Sequence, residues 1–288
     1  WLGTAEMKSA HSKLHTAFRE ACDPAAYVPR PATEAALEGL TDWLTPPAPG
    51  PAIAIVFGPA GIGKTCLLRV LEARRPKARD ASPTALYLPY AGITPEDLCA
   101  WAYGSLGRSG ELHRPVDATS AYEGLTALPG PGDAPFLLLV DDADSMPPAL
   151  LEMLLREDLG ARPAHRLRIV LALNDDARGS RLLGALQTLE PLEITLRDRL
   201  SVEETGEYLR GRMRSAGCSE HELRQVGPEE IGRVHALSSG LPLRIQRIAP
   251  EILADERDML PGALDAKRRR EAWMGRPIED EDDDGLDP

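Results

Sequence analysis

Two short stretches hold residues whose types and spacing could do chemistry on a phosphate. The first is GPAGIGKT at 58–65, set between the apolar run AIAIVF and the leucine-rich run CLLRVLEARR. Its spacing, Gly58, four residues, then Gly63, Lys64 and Thr65, is the P-loop pattern. Glycines let backbone N–H groups close around a phosphate at a helix N-terminus, where the helix dipole favours negative charge. Gly58, Pro59, Ala60, Gly61, Ile62, Gly63, Lys64, Thr65 and Cys66 are therefore the candidate phosphate cradle. Within it, Lys64 would reach the β- and γ-phosphates and the Thr65 hydroxyl would ligate Mg²⁺. The second stretch, FLLLVDDAD at 136–144, is an apolar strand that ends in paired acids, a Walker B pattern. Asp141 would hold Mg²⁺ through water, and Asp142 would orient or deprotonate the attacking water.

A third apolar run, LRIVLALNDD at 167–176, places Asn174 at a strand tip. Beside the other two strands, its amide could hydrogen-bond a γ-phosphate or the water, the role called sensor 1.

These groups need elements to position them. The order strand, glycine loop, helix is expected around 52–75, with a second strand at TALYLPY. TPEDLCAWAYGSLG reads as a helix capped by Thr94 with Pro95 at its first position. PATEAALEGLTDWL and the N-terminal TAEMKSAHSKLHTAFREAC read as amphipathic helices. TPPAPGPA and LPGPGDAP are breaker clusters between elements. Near the C-terminus, SVEETGEYLRGRMRSAG opens with Ser201 and Glu204 three residues on, a capping box.

Composition narrows the setting. The 288 residues suit one large or two modest domains. Four widely spaced cysteines (Cys22, Cys66, Cys99, Cys218) suggest neither a disulfide framework nor a zinc site, and favour a reducing, cytoplasmic setting. No apolar stretch approaches the roughly 18 residues of a membrane span. Net charge is −12, half of it in the tail RPIEDEDDDGLDP, expected to be disordered and preceded by the basic run Lys267–Arg270. An acidic body argues against DNA as the main partner.

P-loop, Walker B, polar strand tip and helical C-terminal third, in that order, resemble the AAA+ ATPases. More narrowly, LRDRLSVEETGEYLRGRMRSAG and IGRVHALSSGLPLRIQRIAPEIL are similar to the lid of the ExeA/GspA group of secretion-linked ATPases and their transposition relatives TniB and TnsC. The resemblance implies an α/β fold: a P-loop NTPase parallel-sheet domain with a smaller all-helical C-terminal lid. The expected division is 1–24 as an N-terminal helix, 25–195 as the nucleotide-binding domain, 196–265 as the lid and 266–288 as the charged tail.

It further implies ATP and Mg²⁺ as cofactors, base contacts from Tyr27 and Val28, and a homo-oligomer that forms with nucleotide and engages a protein partner. Arg181, with Arg178 second, would be the arginine finger. Two positions depart from the family pattern. The second Walker B acid is Asp142 where Glu is usual, and Leu243 stands directly after the lid proline, where relatives carry the sensor 2 arginine. Arg244 follows, turned about 100° around the helix. ATPase activity is thus expected to be slow, in secretion or envelope-machinery assembly. The alternatives are a transposition regulator that binds DNA through Arg210, Arg212 and Arg214, and a signalling or scaffold switch with little turnover.

Overall fold

The computed structural model describes residues 12–20, 22–45, 51–74, 85–108, 110, 115, 117–128, 136–154, 167–224 and 226–254. The charged tail, including the basic run, and the end of the expected lid from 255 to 265 lie outside the described residues.

Five parallel strands build the centre: β1 (Ile53–Gly58), β2 (Ala85–Leu88), β3 (Phe136–Val140), β4 (Leu167–Asn174) and β5 (Leu192–Thr195), in the order β2-β3-β4-β1-β5. Every residue of β1 and β3 is buried. Such strands read as unbroken apolar runs because helices cover both faces. Alternate side chains divide between two cores. Ile53, Ile55, Phe57, Leu138 and Val140 face one, which also holds residues of α3 (Pro95–Ser105), α4 (Ala118–Ala127) and α5 (Pro148–Leu154). Ala54, Val56, Leu137, Leu139 and Val170 face the other, with α1 (Pro31–Leu44) and α2 (Lys64–Arg74).

The expected signals act locally as read. Thr94 accepts from the Asp97 N–H at 3.2 Å and Pro95 takes the first helical position of α3. Ser201 and Glu204 form a reciprocal capping box at the start of α7 (Val202–Ser215). Between β4 and β5 lies α6 (Ala177–Leu186), capped by Asp176, which accepts from the Arg178 and Gly179 N–H groups.

After β5 the chain is helical: α7, α8 (Glu220–Arg224), α9 (Pro228–Ser238) and α10 (Pro242–Leu253). Tyr208, Leu209, Met213, Leu223, Val234 and Ile245 make a third core there. Ala17 and Phe18 belong to it as well, so the helical residues 12–17 pack into the lid. No pattern within the N-terminal run marks that long-range partner.

Candidate functional site

The register of β1 on β4 sets the site. Gly58 pairs with Asn174, so the end of the P-loop strand and the polar strand tip lie side by side at the carboxyl edge of the sheet. At that edge the order reverses, since β1 leads outward to β5 while β4 leads to β3, and ligands bind at such switch points in open α/β sheets.

Lys64 occupies the centre. Its Nζ donates to the Gly58 carbonyl at 2.7 Å, the Pro59 carbonyl at 3.0 Å and Asn174 Oδ1 at 2.8 Å. Burial holds its pKa below the ordinary lysine value, with the nearby Asp144, Asp141, Asp176 and Asp142 opposing that shift. An anionic phosphate beside Lys64 would satisfy the charge that burial penalises. The loop itself leaves room. Gly61 and Gly63 adopt φ of 80° and 115°, and nothing lies within 4 Å of a Cβ placed at Gly63.

Asp141 follows β3 directly. Its Oδ2 accepts from the Tyr87 hydroxyl at 2.7 Å and its Oδ1 from the Asp142 N–H at 3.0 Å. Arg69 stacks on the Tyr87 ring at 4.6 Å, which fixes that tyrosine in turn. Asp142 stands in the left-handed region, φ 47° and ψ 42°, and its carbonyl accepts from the Ser145 hydroxyl at 2.6 Å. Strain of this kind persists where the surroundings hold it, and here it re-aims an acid at the end of a strand.

Asp144 is a residue that the motif reading passes over. It is buried, and it accepts from both the Asn174 N–H and Asn174 Nδ2, the latter at 2.5 Å. Burial pushes its carboxyl pKa up, and the bonds from Asn174 pull the other way. Since Nδ2 is committed to Asp144, Oδ1 of Asn174 faces Lys64. The signal was the fourth residue of DDAD, an acid too many for one metal ligand and one base.

A cavity of about 380 Å³ joins these groups. Gly61, Lys64, Thr65, Asp141, Asp142 and Asn174 line one end. Tyr27, Val28 and Arg30 line another part, with Tyr208, Arg212 and Gln246 from the lid, while Leu243 of the lid sits against Gly61. The cavity also touches Ala60, Ile62, Gly63 and Cys66. Gly58 and Pro59 contribute through their carbonyls to Lys64. Thr65 and Asp141 both belong to the lining.

The six arginines named from the sequence lie in different settings. Arg244 is exposed on α10 and outside the lining, while Leu243 fills the place at the P-loop, its N–H donating to the Gly61 carbonyl at 3.2 Å. Arg181 and Arg178 are exposed on α6 and also outside the lining. Arg212 corrects the reading of it as a DNA contact. It is 6% exposed and its guanidinium donates to the Ala17 and Arg19 carbonyls at 2.8 and 3.0 Å. Arg210 likewise donates to the Val226 carbonyl, which leaves Arg214 as the exposed member of that trio.

Residues 49–179 match the family model of the AAA domain. The fold is that of an AAA-type P-loop NTPase. Solved structures agree with this AAA-type fold at low sequence identity. A Walker-type ATPase of Pyrococcus abyssi is 17% identical with a TM-score of 0.53, covering 83% of this chain and 76% of that one. Cdc6p from Pyrobaculum aerophilum is 20% identical with a TM-score of 0.55, covering 88% of this chain and 66% of that one. Drosophila ORC bound to DNA is 18% identical with a TM-score of 0.55, covering 86% and 69%. None of the curated proteins matches the sequence. Among the described residues no helix is long and apolar enough to cross a membrane.

Proposed function

We propose that the chain binds ATP with Mg²⁺ and hydrolyses it slowly, using its nucleotide state to control self-assembly and engagement of a partner. The observation that carries this is that Lys64, Asp141 and Asn174 line one cavity together with Tyr208, Arg212 and Gln246 of the lid, Lys64 donating to Asn174. Thr65 and Asp141 would hold Mg²⁺, which neutralises charge on the phosphates. Lys64 draws the γ-phosphate toward the sheet edge and Asn174, oriented by Asp144, offers Oδ1 to Lys64 or to water. Asp142 is the base candidate, and its shorter side chain sets the slow rate. Arg181, with Arg178 second, lies free of the cavity of its own chain and would serve the site of a neighbouring copy. Tyr27 and Val28, which line the same cavity, would face the base.

A role in secretion or envelope-machinery assembly is supported by the lid segments YLRGRMRSAG and SGLPLRI, which resemble the ExeA group. Engagement of duplex DNA is the second reading, supported by the similarity of fold to Drosophila ORC bound to DNA.

Replacing Lys64 with Ala tests the site. Titration with a fluorescent ATP analogue is expected to show binding by the parent chain and affinity reduced about a hundredfold or more in the variant, since a charge-assisted contact to the phosphates disappears. Equal affinity would overturn the assignment. Light scattering with ADP and a slowly hydrolysed ATP analogue, each with and without duplex DNA, separates the assembly readings. A mass increase with the analogue alone supports nucleotide-gated assembly, and an increase that requires DNA supports the second reading.

A further inference from the structure

We propose that Arg30 and Gln246 read the edge of the base and select adenine over guanine, an inference that rests on reading the cavity as a nucleotide site. Both side chains line the cavity, Arg30 from the residue before α1 and Gln246 from α10 of the lid. Each is held by one atom and has another left for a ligand. Arg30 Nη2 donates to the carbonyl of Asp198, in the link between β5 and α7, at 2.6 Å, while Arg30 Nε is buried with no hydrogen-bond partner. A buried donor without a partner is costly, and a guanidinium can only donate, so what it lacks is an acceptor. Gln246 Nε2 donates to the Tyr208 hydroxyl at 2.7 Å. With the amide turned that way, Oε1 is the atom left to accept.

Packing on α7 brings the two side chains to the same part of the cavity. Val28 lies so close to that helix that a Cβ at Gly211 would be 2.7 Å from Val28 Cγ2. Tyr208, which holds Gln246, stands three residues before Gly211 and so on the same side of α7. The segment that carries Arg30 and the Tyr208–Gln246 pair therefore meet along one helix face. The phosphate loop is reached from a different point of the lid. Leu243 donates its N–H to the Gly61 carbonyl at 3.2 Å, and Gln246 lies about one turn further along α10. A nucleotide with its phosphates at Lys64 would extend its base toward that next turn.

One free donor and one free acceptor form a code for a base. Adenine presents a ring-nitrogen acceptor beside its amino donor, N7 or N1 next to N6. Arg30 Nε donating to the ring nitrogen and Gln246 Oε1 accepting from N6 match that pair atom for atom. Guanine carries the acceptor O6 where adenine has the amine. Gln246 Oε1 would then face a second acceptor, and on the N1 edge the guanine N1–H would also face the Arg30 donor. Selection of this kind comes from the unpaired groups of the wrong ligand as much as from the bonds to the right one.

The test titrates the full chain with two fluorescent analogues labelled on the ribose, one of ATP and one of GTP. The parent is expected to bind the ATP analogue about tenfold or more tightly than the GTP analogue. Gln246→Leu should bring that ratio close to one, while Gln246→Glu, which offers acceptors alone, should keep the preference for adenine. The ratio does not depend on how much of a variant folds, because both analogues report on the same folded fraction. Arg30→Met should weaken the ATP analogue about tenfold and change displacement by inorganic tripolyphosphate by less than about twofold, since its partner is the base. Equal affinity of the parent for the two analogues, or the parent's ratio retained in Gln246→Leu, overturns the selection. Tripolyphosphate affinity that falls as far as ATP affinity in Arg30→Met would place Arg30 on the phosphates and overturns its part. A parent that binds neither analogue overturns the nucleotide reading itself, a result distinct from equal binding of both.

Discussion

The two ends of the cavity are built differently. The phosphate end comes from three strand tips and one loop, and its polar groups are fixed by short bonds within the sheet domain: Lys64 to Asn174, Asn174 to Asp144, Tyr87 to Asp141. The lid end is assembled from pieces distant in sequence, with Val28 against Gly211 and Arg212 reaching back to Ala17 and Arg19. A rigid end suits chemistry, which requires groups held in place before the substrate arrives. An end made of long-range contacts between the segment before α1 and a helical lid suits binding that must open and close. Apart from Lys64, whose charge would meet the phosphates directly, substitutions at the first should therefore cost stability or rate, and at the second they should cost affinity.

The largest effect is expected at Gly179. A Cβ there would lie 1.9 Å from the Asn174 carbonyl oxygen and 2.8 Å from Asp144 Oδ1, backbone and buried carboxylate that have no room to retreat. Gly179→Ala should destabilise the chain by about 2–3 kcal/mol and lower Tm by roughly 5–10 °C. Thermal unfolding with unchanged Tm would show that the phosphate end is not rigid.

Next is Arg212→Met, which keeps the length of the side chain and removes the donors to two carbonyls. Buried acceptors left unpaired cost about 2 kcal/mol. Because Arg212 also lines the cavity, ATP affinity should fall with kcat preserved. Asp144→Asn is the opposite case. It keeps the shape beside Asn174 and removes the charge that orients it, so kcat should fall about tenfold with KM changed less than about twofold. If the Asp144 variant lost affinity and the Arg212 variant lost rate, the division between the two ends would be wrong.

That division also explains what could be read from the amino-acid order. The P-loop, the Asp141–Asp142 pair and Asn174 are each contiguous with a strand whose apolar run announces it, so the positions that line this part of the cavity were legible almost residue by residue. Asp144 and Gly179 escaped because their work is mutual: each matters through a neighbour that only the packing of α6 on β4 supplies. The lid end was legible as an element, through the Ser201–Glu204 capping box, but not as contacts. Arg212 reads as one of several charges along a helix, and nothing in RMRSAG says that its guanidinium turns inward to Ala17. The N-terminal run has the pattern of an amphipathic helix, and amphipathicity names no partner.

The smallest effect belongs to the cap of α6, just after β4. Asp176 holds the first turn of α6 through the Arg178 and Gly179 N–H groups, each at 2.8 Å. The bond from the Gly179 N–H, foremost, keeps its carboxyl below the ordinary aspartate value. A carboxylate whose folded pKa is depressed stabilises the fold fully above its unfolded pKa, about 3.9, and loses that contribution as pH falls through the lower folded value. Asp176→Asn keeps an acceptor at the cap without the charge. The stability gap between parent and variant should therefore be constant from neutral pH down to about pH 4 and close below it, as measured by denaturant unfolding at each pH. A gap that persists unchanged into that acid range would mean that the carboxylate's charge contributes nothing, and that the cap acts through its hydrogen-bond geometry alone.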